Sequence, residues 1–351
     1  MTMVFGAPGR YVQAAGEIAR LGEHVAGLGR LPYLILDSGS YDRLGEALEE
    51  AFDCEGIEDS WFEVYDGPCN DRSIERLVAS CREESHDVVV GIGGGKMLDI
   101  AKAVAHYVEL PLCVVPTVAS TDAPCSALSV IYNVHGTFGR YLHLKHSPDL
   151  VVVDTAVVAG APLFMTVAGM GDALATYFEA RACAAAGGVN ELGAKPGRAA
   201  LVAARACYDT LMDCGVEAKH DIEAGKVTDA VEHIVECNIL LSGIGFESGG
   251  LALAHAIANG LTSIPGLHIM HGNAVAYGLN MQLALEDAPE REQVLDFCHA
   301  VGLPTTFEEL GMDGVTPEEL ANAVNVACSC TRNIANEPVD VTPEILLAAL
   351  N

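Results

Sequence analysis

Hydrophobic and polar positions follow different patterns in the two halves of the chain. In the first half, short apolar runs alternate with stretches of helical spacing, which predicts a parallel sheet with helices on both faces. Strands are predicted at residues 31–38, 61–64, 88–92, 112–116, 128–131, 138–144 and 149–154. Helices are predicted at residues 11–30, 41–52, 70–84 and 97–106.

The second half has helical spacing and almost no β-branched runs. Helices are predicted at residues 162–181, 197–213, 226–246, 249–259, 273–285, 290–301 and 317–328. Because the pattern changes near residue 160, we expect an α/β domain at residues 1–160 and an all-α domain at residues 161–351. The cleft between two such domains is the expected place for a ligand.

A glycine-rich turn separates the strand predicted at residues 88–92 from the helix that follows. It consists of Gly93, Gly94 and Gly95, with Lys96 directly after them. Backbone N–H groups at such a turn, with the helix dipole behind them, form an anion site that suits a diphosphate; a tight turn without a ligand is the alternative. The stretch does not match the G-x-G-x-x-G fingerprint, because Lys96 stands at the third glycine position. It does not match the P-loop either, because neither Ser nor Thr follows Lys96.

Two more polar features follow predicted strand ends, where ligands bind in open α/β sheets. Asp37 ends the first of these strands, and it is either a ribose ligand or a helix-cap residue. The stretch at residues 116–132, PTVASTDAPCSALSVIY, is either a ligand loop or an ordinary polar loop. Its polar members include Thr117, Ser120, Thr121, Asp122 and Ser126.

Composition narrows the class of partner. The formal net charge is −29 at pH 7, and so acidic a surface repels nucleic acid and anionic membranes, which bind through Lys and Arg. No apolar run approaches the ~20 residues of a membrane helix, and the N-terminus lacks a signal-peptide pattern. The 12 cysteines include no C-x-x-C pair and stand mostly among apolar neighbours, which is typical of buried thiols in a reducing compartment. These features predict a cytoplasmic protein.

The helical half carries one carboxylate and two histidines within apolar sequence. They are Asp172 in GMGDAL, His255 in GGLALAHAIANG and His271 in HIMHGNAVAYG. One carboxylate and two neutral imidazoles with an open position form a set that suits catalytic zinc or Fe(II). The alternative is that the histidines are ordinary buried residues, and His268 competes with His271 for the third position.

Four motifs together resemble the glycerol dehydrogenase branch of the iron-containing, or group III metal-dependent, alcohol dehydrogenase family. They are GGGK-x-x-D at residues 93–99, PT-x-AS-TDAP-x-SALSVIY at 116–132, GMGDALATYFEA at 169–180 and GFESGGLALAHAIANGLT at 245–262. The resemblance runs from about residue 5 to about residue 300. It implies a Rossmann-like parallel sheet followed by an all-α domain, the architecture shared with dehydroquinate synthase.

The resemblance also implies a site and a reaction. The glycine turn with Lys96 binds the NAD diphosphate, Asp37 takes the adenine ribose hydroxyls and so favours NAD over NADP, and Asp122 faces the polyol. The resemblance implies that Asp172, His255 and His271 hold a divalent metal, zinc or iron. Further residues line the dinucleotide cleft: Thr117, Ser120, Ser126, Leu128 and Tyr132.

The implied reaction is oxidation of glycerol to dihydroxyacetone, and its reverse, by hydride transfer from a metal-bound alkoxide to the nicotinamide. The implied assembly is a homo-oligomer, commonly an octamer.

Departures from the family pattern keep other substrates open. Ala258 stands where a second histidine is usual, Asn273 follows His271-Gly272 where glutamate is usual, and Cys125 replaces a threonine. Another small diol or hydroxy compound is therefore one alternative. A dehydroquinate synthase-like lyase, a glycerol-1-phosphate dehydrogenase and a non-enzymatic binding protein are others. The shortage of Lys and Arg in the second half disfavours the two that need an anionic sugar phosphate or glycerol phosphate, and the metal set disfavours the last.

Overall fold

A computed structural model describes residues 2–57, 60–133 and 138–350, which form two compact units. The sheet unit consists of Ala7–Ala119 and Ala123–Pro162. The helical unit consists of Ser120–Asp122, the described chain from Leu163 onward and the N-terminal residues up to Gly6.

The sheet unit alternates strands and helices. Its strands are β1 (Tyr11–Ala14), β2 (Pro32–Leu36), β3 (Trp61–Val64), β4 (Val88–Gly93), β5 (Leu112–Pro116), β6 (Leu128–Tyr132), β7 (Phe138–His143) and β8 (Leu150–Asp154). Its helices are α1 (Leu21–Val25), α2 (Ser38–Asp53), α3 (Asp71–Glu83), α4 (Gly95–Val108) and α5 (Thr155–Ala159), with 3₁₀ turns at Glu17–Arg20 and Ala123–Cys125.

Six of these strands form one sheet in the order β1-β8-β5-β4-β2-β3, and all its pairs are parallel. Helices cover parallel sheets on both faces, so the inner strands are continuous apolar runs. Accordingly every residue of β2, β4, β5 and β8 is buried. Leu34, Val90 and Val115 belong to a core cluster that also contains Leu48 and Phe52 of α2. The predicted parallel α/β sheet is confirmed.

The strand order reverses direction between β2 and β4. From β2 the chain moves outward to β3, then returns to the other side of β2 to form β4 and continues to β5. Ligands in open α/β sheets bind outside the carboxyl ends of the strands at such a switch point. Asp37 directly follows β2, and the glycine turn follows β4, so both sequence-predicted features lie at this point of the sheet.

β6 and β7 form a separate antiparallel pair, with Val130 opposite Tyr141. Tyr132 at the end of β6 makes an isolated bridge with Asn70, the residue before α3. The Tyr132 N–H donates to the carbonyl of Cys69 at 2.8 Å. The pair is therefore attached to the region between β3 and α3.

The helical unit is built almost entirely from α-helices. They are α6 (Leu163–Ala186), α7 (Arg198–Glu223), α8 (Asp229–Glu236), α9 (Ser242–Gly249), α10 (Leu253–Leu261), α11 (His271–Leu285), α12 (Arg291–Val301), α13 (Pro317–Ser329), α14 (Thr331–Ala335) and α15 (Pro343–Leu350). A π-helical turn, Cys237–Leu241, joins α8 to α9. The predicted all-α second half is confirmed.

Two predictions about individual elements were wrong. Residues 11–30 are not one helix, because Tyr11–Ala14 pairs with β8 as an edge strand and only short helical turns follow. The helix predicted to end at residue 213 continues to Glu223. Gly215 lies inside it, and a Cβ there would lie 2.7 Å from the Phe297 ring, so this glycine permits close packing and does not end the helix.

Helices long and apolar enough to cross a membrane singly do not occur in the described part of the chain. Two helical segments that are bent relative to each other, Asp229–Gly249 and Leu253–Leu261, together have the length and composition of a membrane span, and only these two properties point to one.

Candidate active site

The turn after β4 has a backbone that requires glycine. Gly93 has φ +144°, and a Cβ on it would lie 2.9 Å from two atoms of Met97 and 3.0 Å from Asp37 Oδ2. Gly94 is the N-cap of α4 and has no side chain to occupy the first amides of the helix. The helix start is thus open to an anionic group, and the carboxylate of Asp37 lies directly beside it.

Asp37 caps α2. Its Oδ1 accepts the backbone N–H of Ser40 at 2.8 Å, and its Oδ2 accepts the Ser40 hydroxyl at 2.9 Å. The two interpretations of this residue were a helix cap and a ribose ligand, and the structure contains the cap. The two roles are compatible, because each carboxylate oxygen has two lone pairs.

Polar groups from neighbouring strand ends meet around the same turn. Lys96 is exposed and its Nζ lies 3.4 Å from the carbonyl of Asp66, which follows β3. Thr117, directly after β5, donates its N–H to the Gly93 carbonyl at 3.1 Å. The sequence-predicted residues Asp37, Gly93, Lys96 and Thr117 are therefore brought together at the switch point.

The rest of the predicted dinucleotide loop is held from inside by a residue that sequence reasoning missed. Lys102 on α4 is completely buried, and its Nζ donates to the carbonyls of Ala123 and Leu128 and to the Ser126 hydroxyl. The contacts to Leu128 and Ser126 measure 2.9 and 3.2 Å. Ser126 is itself buried, so its hydroxyl supports the loop. A lysine on the apolar face of a helix was the available signal.

Tyr132 is 40% exposed, and Ser120 is half-buried and belongs to the helical unit. Cys125 and Ala258 are both 1% exposed. Asn273 lies in the first turn of α11, where its N–H donates to the Met270 carbonyl at 3.0 Å.

In the helical unit, α6 and α11 approach each other at two glycines. A Cβ on Gly272 would lie 1.7 Å from the Ala168 carbonyl oxygen, and one on Gly171 would lie 2.5 Å from the Gly272 carbonyl oxygen. Only glycine permits backbones this close. The approach brings Asp172, next to Gly171, against His271, the first residue of α11.

Asp172, His255 and His271 meet as predicted, with their ligand atoms all within 4.8 Å of one another. Asp172 Oδ1 lies 3.4 Å from Nε2 of each histidine. Two ligands of a tetrahedral zinc ion, each at about 2.0–2.1 Å, lie roughly 3.4 Å apart, so the spacing fits a metal ion. His268, the competing residue, lies in the exposed loop before α11.

The charges of this group also favour a cation. Asp172 Oδ1 is buried and accepts no hydrogen bond from the described residues. Burial alone would raise the pKa of Asp172, but His271 and His255 hold that pKa well below its usual value. Burial opposes a charge on His255, yet Glu179 and Asp172 raise the pKa of the imidazole well above its usual value. The carboxylates of Asp172 and Glu179 thus favour a positive charge at the group formed by Asp172, His255 and His271.

Asp122 lies beside this group. Its N–H donates to Asp172 Oδ2 at 3.3 Å, and its Oδ2 accepts the Ser242 hydroxyl at 2.9 Å. Ser242 in turn lies 2.9 Å from the Thr176 hydroxyl. Burial, and then the Asp172 carboxylate, raise the pKa of Asp122 to about 7. Ser242 directly follows the π-helical turn, and such turns are frequent at functional sites.

Sequence reasoning also missed Glu179, which is fully buried. Its Oε2 lies 2.5 Å from His255 Nδ1. Asp172, Thr176 and Glu179 are spaced i, i+4 and i+7 on α6, so they share one face of that helix. Three polar residues at this spacing in an apolar helix were the signal that could have identified Glu179.

Three comparisons with known proteins agree on the family. Residues 8–155 match the family described as iron-containing alcohol dehydrogenase. The glycerol dehydrogenase of Thermotoga maritima is 49% identical over 98% of this chain and 94% of its own length. The glycolaldehyde reductase of Halobacterium salinarum is 41% identical over 100% of this chain and 96% of its own.

A solved structure gives the same result. The probable glycerol dehydrogenase from Sinorhizobium meliloti superposes with a TM-score of 0.93 at 40% identity. The match covers 99% of this chain and 97% of that chain.

Proposed function

The chain belongs to the iron-containing alcohol dehydrogenase family, and on this premise we propose that it oxidises glycerol to dihydroxyacetone with NAD and catalyses the reverse reduction. The observation that carries the proposal is the convergence of Asp172, His255 and His271 within 4.8 Å. The names of the relatives indicate glycerol as the substrate. The resemblance of the glycine turn to that of the alcohol dehydrogenase family indicates NAD as the cofactor.

We assign a divalent cation, zinc or Fe(II), to Asp172, His255 and His271, because one carboxylate and two imidazoles suit both ions. When bound, the cation acts as a Lewis acid on the oxygen of the reacting alcohol. The protein's part is to orient the alcohol. Asp172 and His255 are 1% and 6% exposed, and His271 lies at the exposed side of the group.

Asp122 is the residue we assign to the substrate's other polar groups. Its Oδ2 is engaged by Ser242, which leaves Oδ1 as the acceptor for a hydroxyl of the polyol. Asp122 would therefore select substrates that carry a hydroxyl next to the reacting carbon.

We assign the NAD diphosphate to the amides of Gly94, Gly95 and Lys96 at the start of α4, and the adenine ribose to Asp37. The positive φ of Gly93 and the open N-terminus of α4 support this assignment. A carboxylate at the ribose repels the 2′-phosphate of NADP, so we expect NAD to be the cofactor. We assign Thr117, Ser120, Ser126, Leu128 and Tyr132 to the remainder of the dinucleotide loop, with Ser126 supporting the loop from inside.

A second candidate is reduction of a small hydroxyaldehyde, which the Halobacterium salinarum relative's name favours. A lyase that binds a sugar phosphate is disfavoured, because several arginines of the helical unit are already paired with carboxylates. These pairs are Arg181 with Glu286 and Glu290, Arg205 with Asp209, and Arg332 with Glu191.

The test is NADH formation, followed by absorbance, with glycerol, 1,2-propanediol and ethylene glycol, together with NADH oxidation by dihydroxyacetone and glycolaldehyde. Each assay is run on zinc-loaded, iron-loaded and chelator-treated protein. We expect metal-dependent turnover that is fastest with glycerol and dihydroxyacetone. Preference for glycolaldehyde would establish the second candidate, and no turnover with any of these substrates would refute both.

We further propose that the sheet unit is the NAD domain and the helical unit the metal and substrate domain. The 12 free cysteines support a reducing compartment such as the cytoplasm. A homo-oligomer, as is common in the family, is the proposed assembly, and sedimentation analysis tests it.

A further inference from the structure

His255 is attached to Glu179 at two points. Glu179 Oε2 accepts from the ring Nδ1 of His255 at 2.5 Å, and its Oε1 accepts the backbone N–H of the same residue at 2.9 Å. Oε1 also accepts the N–H of Ala252 at 2.8 Å. Glu179 is completely buried, so water does not compete for these contacts. One carboxylate therefore fixes both the ring and the main chain of this histidine.

The contact at Nδ1 determines the chemical state of the ring. A carboxylate only accepts, so Nδ1 carries the hydrogen, and in a neutral imidazole Nε2 then carries the lone pair. Nε2 is the atom that lies 3.4 Å from Asp172 Oδ1. Glu179 thus selects the tautomer whose lone pair is directed into the Asp172, His255, His271 group.

Glu179 is part of a wider set of side chains at the start of α10. The N–H of Leu253 donates to Glu337 Oε1 at 2.7 Å, and the N–H of Ala254 donates to Gln282 Oε1 at 3.0 Å. The first turn of a helix leaves its N–H groups without partners in the helix. Here Glu179, Glu337 and Gln282 are all buried and accept these N–H groups. The backbone of α10 is therefore fixed independently of the His255 ring.

We propose that Glu179 is the positioning residue of His255, which orients the imidazole and holds its Nδ1–H tautomer for the metal ion. This inference rests on the metal site of the proposed function. Outer carboxylates that bind a metal-ligating histidine commonly contribute ~10–100-fold to metal affinity. The competing explanation is that Glu179 only caps α10.

Glu337 provides a matched control. Like Glu179 it is a buried glutamate that accepts an amide of the first turn of α10, but its partner is Leu253. Glu179→Gln and Glu337→Gln each replace a buried carboxyl group with an amide of the same shape. In Glu179→Gln, we expect the amide oxygen to accept the backbone N–H groups of Ala252 and His255, as Oε1 does now. The amide NH₂ group then faces Nδ1 of His255. A neutral ring would then accept at Nδ1 and carry its hydrogen on Nε2, where the metal must bind.

The experiment measures zinc affinity by competition with a chromophoric chelator, using the full chain with and without NAD. Glu179→Gln should weaken zinc binding ~10–100-fold, and Glu337→Gln should change it less than about threefold. NAD affinity should be unchanged in both variants. Equal loss of zinc affinity in the two variants, or zinc affinity in Glu179→Gln within threefold of the parent, would overturn the positioning role.

A second measurement does not depend on a variant that folds. In the parent protein labelled with ¹⁵N-histidine, the zinc-bound form should contain His255 with a protonated Nδ1 and a metal-coupled Nε2. Observation of an Nε2–H tautomer would overturn the inference. Absence of zinc binding in the parent would instead refute the proposed metal site, and this inference with it, so the two failures are distinguishable.

Discussion

Asp172 and Glu179 lie seven residues apart on one face of α6 and contact the same imidazole from opposite sides. Asp172 Oδ1 lies 3.4 Å from Nε2 of His255, and Glu179 Oε2 lies 2.5 Å from its Nδ1. Seven residues are about two helical turns, so a single straight helix supplies both carboxylates. The orientation of the His255 ring is thereby set from α6, although His255 itself lies on α10 and His271 begins α11.

Replacement of a ligand should separate metal binding from nucleotide binding. Asp172→Asn keeps the shape but removes the charge, so zinc affinity should fall by more than the ~10–100-fold that loss of an outer partner costs. Turnover should fall in parallel while NAD affinity remains unchanged. Metal analysis and NAD titration by fluorescence check this. Asp209→Asn, which alters an exposed carboxylate paired with Arg205, is the control; zinc retained by Asp172→Asn would disprove the ligand assignment.

The charge of Asp37 should favour NAD over NADP, and its role as the N-cap of α2 should stabilise the protein. Asp37→Asn keeps an N-cap acceptor, so NAD should bind more weakly and the preference for NAD over NADP should fall about tenfold while stability is nearly kept. Asp37→Ala should lose about 1 kcal/mol in addition. Kinetics with both cofactors and urea unfolding provide the measurements. Asn70→Ala, which removes the analogous N-cap of α3, should lower stability and leave the binding of NAD and NADP unchanged.

Ser242 should act on the substrate through Asp122. Ser242→Ala removes a hydrogen bond to a buried carboxyl, worth about 1.5–3 kcal/mol when that group is charged. The KM for glycerol should rise about tenfold, and the KM for NAD should not change. Ser248→Ala on the same helix is the control, because that hydroxyl contacts Gly6. A glycerol KM equal to the parent's would show that the Ser242 contact has no role in substrate binding.

Lys102 should stabilise the loop that precedes β6. Lys102→Met leaves the carbonyls of Ala123 and Leu128 without a charged donor, so the free energy of unfolding should fall by about 2–4 kcal/mol. The KM for NAD should rise as the loop loosens. Lys145→Met removes an exposed lysine that pairs with Glu109, and it should change stability by less than about 1 kcal/mol. Denaturation and cofactor kinetics compare the two variants, and equal stability would contradict the prediction.

Glu337 should make stability depend on pH. Burial raises its pKa from 4.5 to about 8. Since the folded pKa exceeds the unfolded one, the protonated carboxyl stabilises the fold fully below pH 4.5, and this contribution is lost as pH rises through about 8. Glu337→Gln stays neutral, so it should exceed the parent by about 4 kcal/mol at pH 8 and by about 1 kcal/mol at pH 5.

Urea unfolding at the two pH values measures that difference. Glu308→Gln, at an exposed position, is the control and should show no such dependence on pH. A constant difference between Glu337→Gln and the parent would mean that Glu337 is ionised throughout.

The sheet could be predicted from local pattern, and the site only partly. β4 and β5 are continuous apolar runs, so their burial was evident from the sequence. β1 was not, because Tyr11–Ala14 is a strand only through its pairing with Val151–Asp154, far along the chain. Local spacing of polar and apolar residues contains no information about such a partner.

The proposed metal ligands illustrate the same limit. Asp172, His255 and His271 were identified through resemblance, since periodicity alone left His268 as an equal candidate. Glu179 was within reach, because a carboxylate seven residues after Asp172 on an apolar helix shares its face. Glu337 was not, because its partner Leu253 lies 84 positions away in sequence.

The π-helical turn Cys237–Leu241 sets the direction in which Ser242 points. A π turn accommodates about one residue more than an α turn, so the helix after it keeps its angular phase relative to α8 although it contains the additional residue. If these five residues formed a regular α turn instead, everything after them would rotate by roughly 100° relative to α8. Ser242 would then turn away from Asp122 although no contacting residue had been substituted, so the winding of this one turn is itself a determinant of the proposed substrate contact.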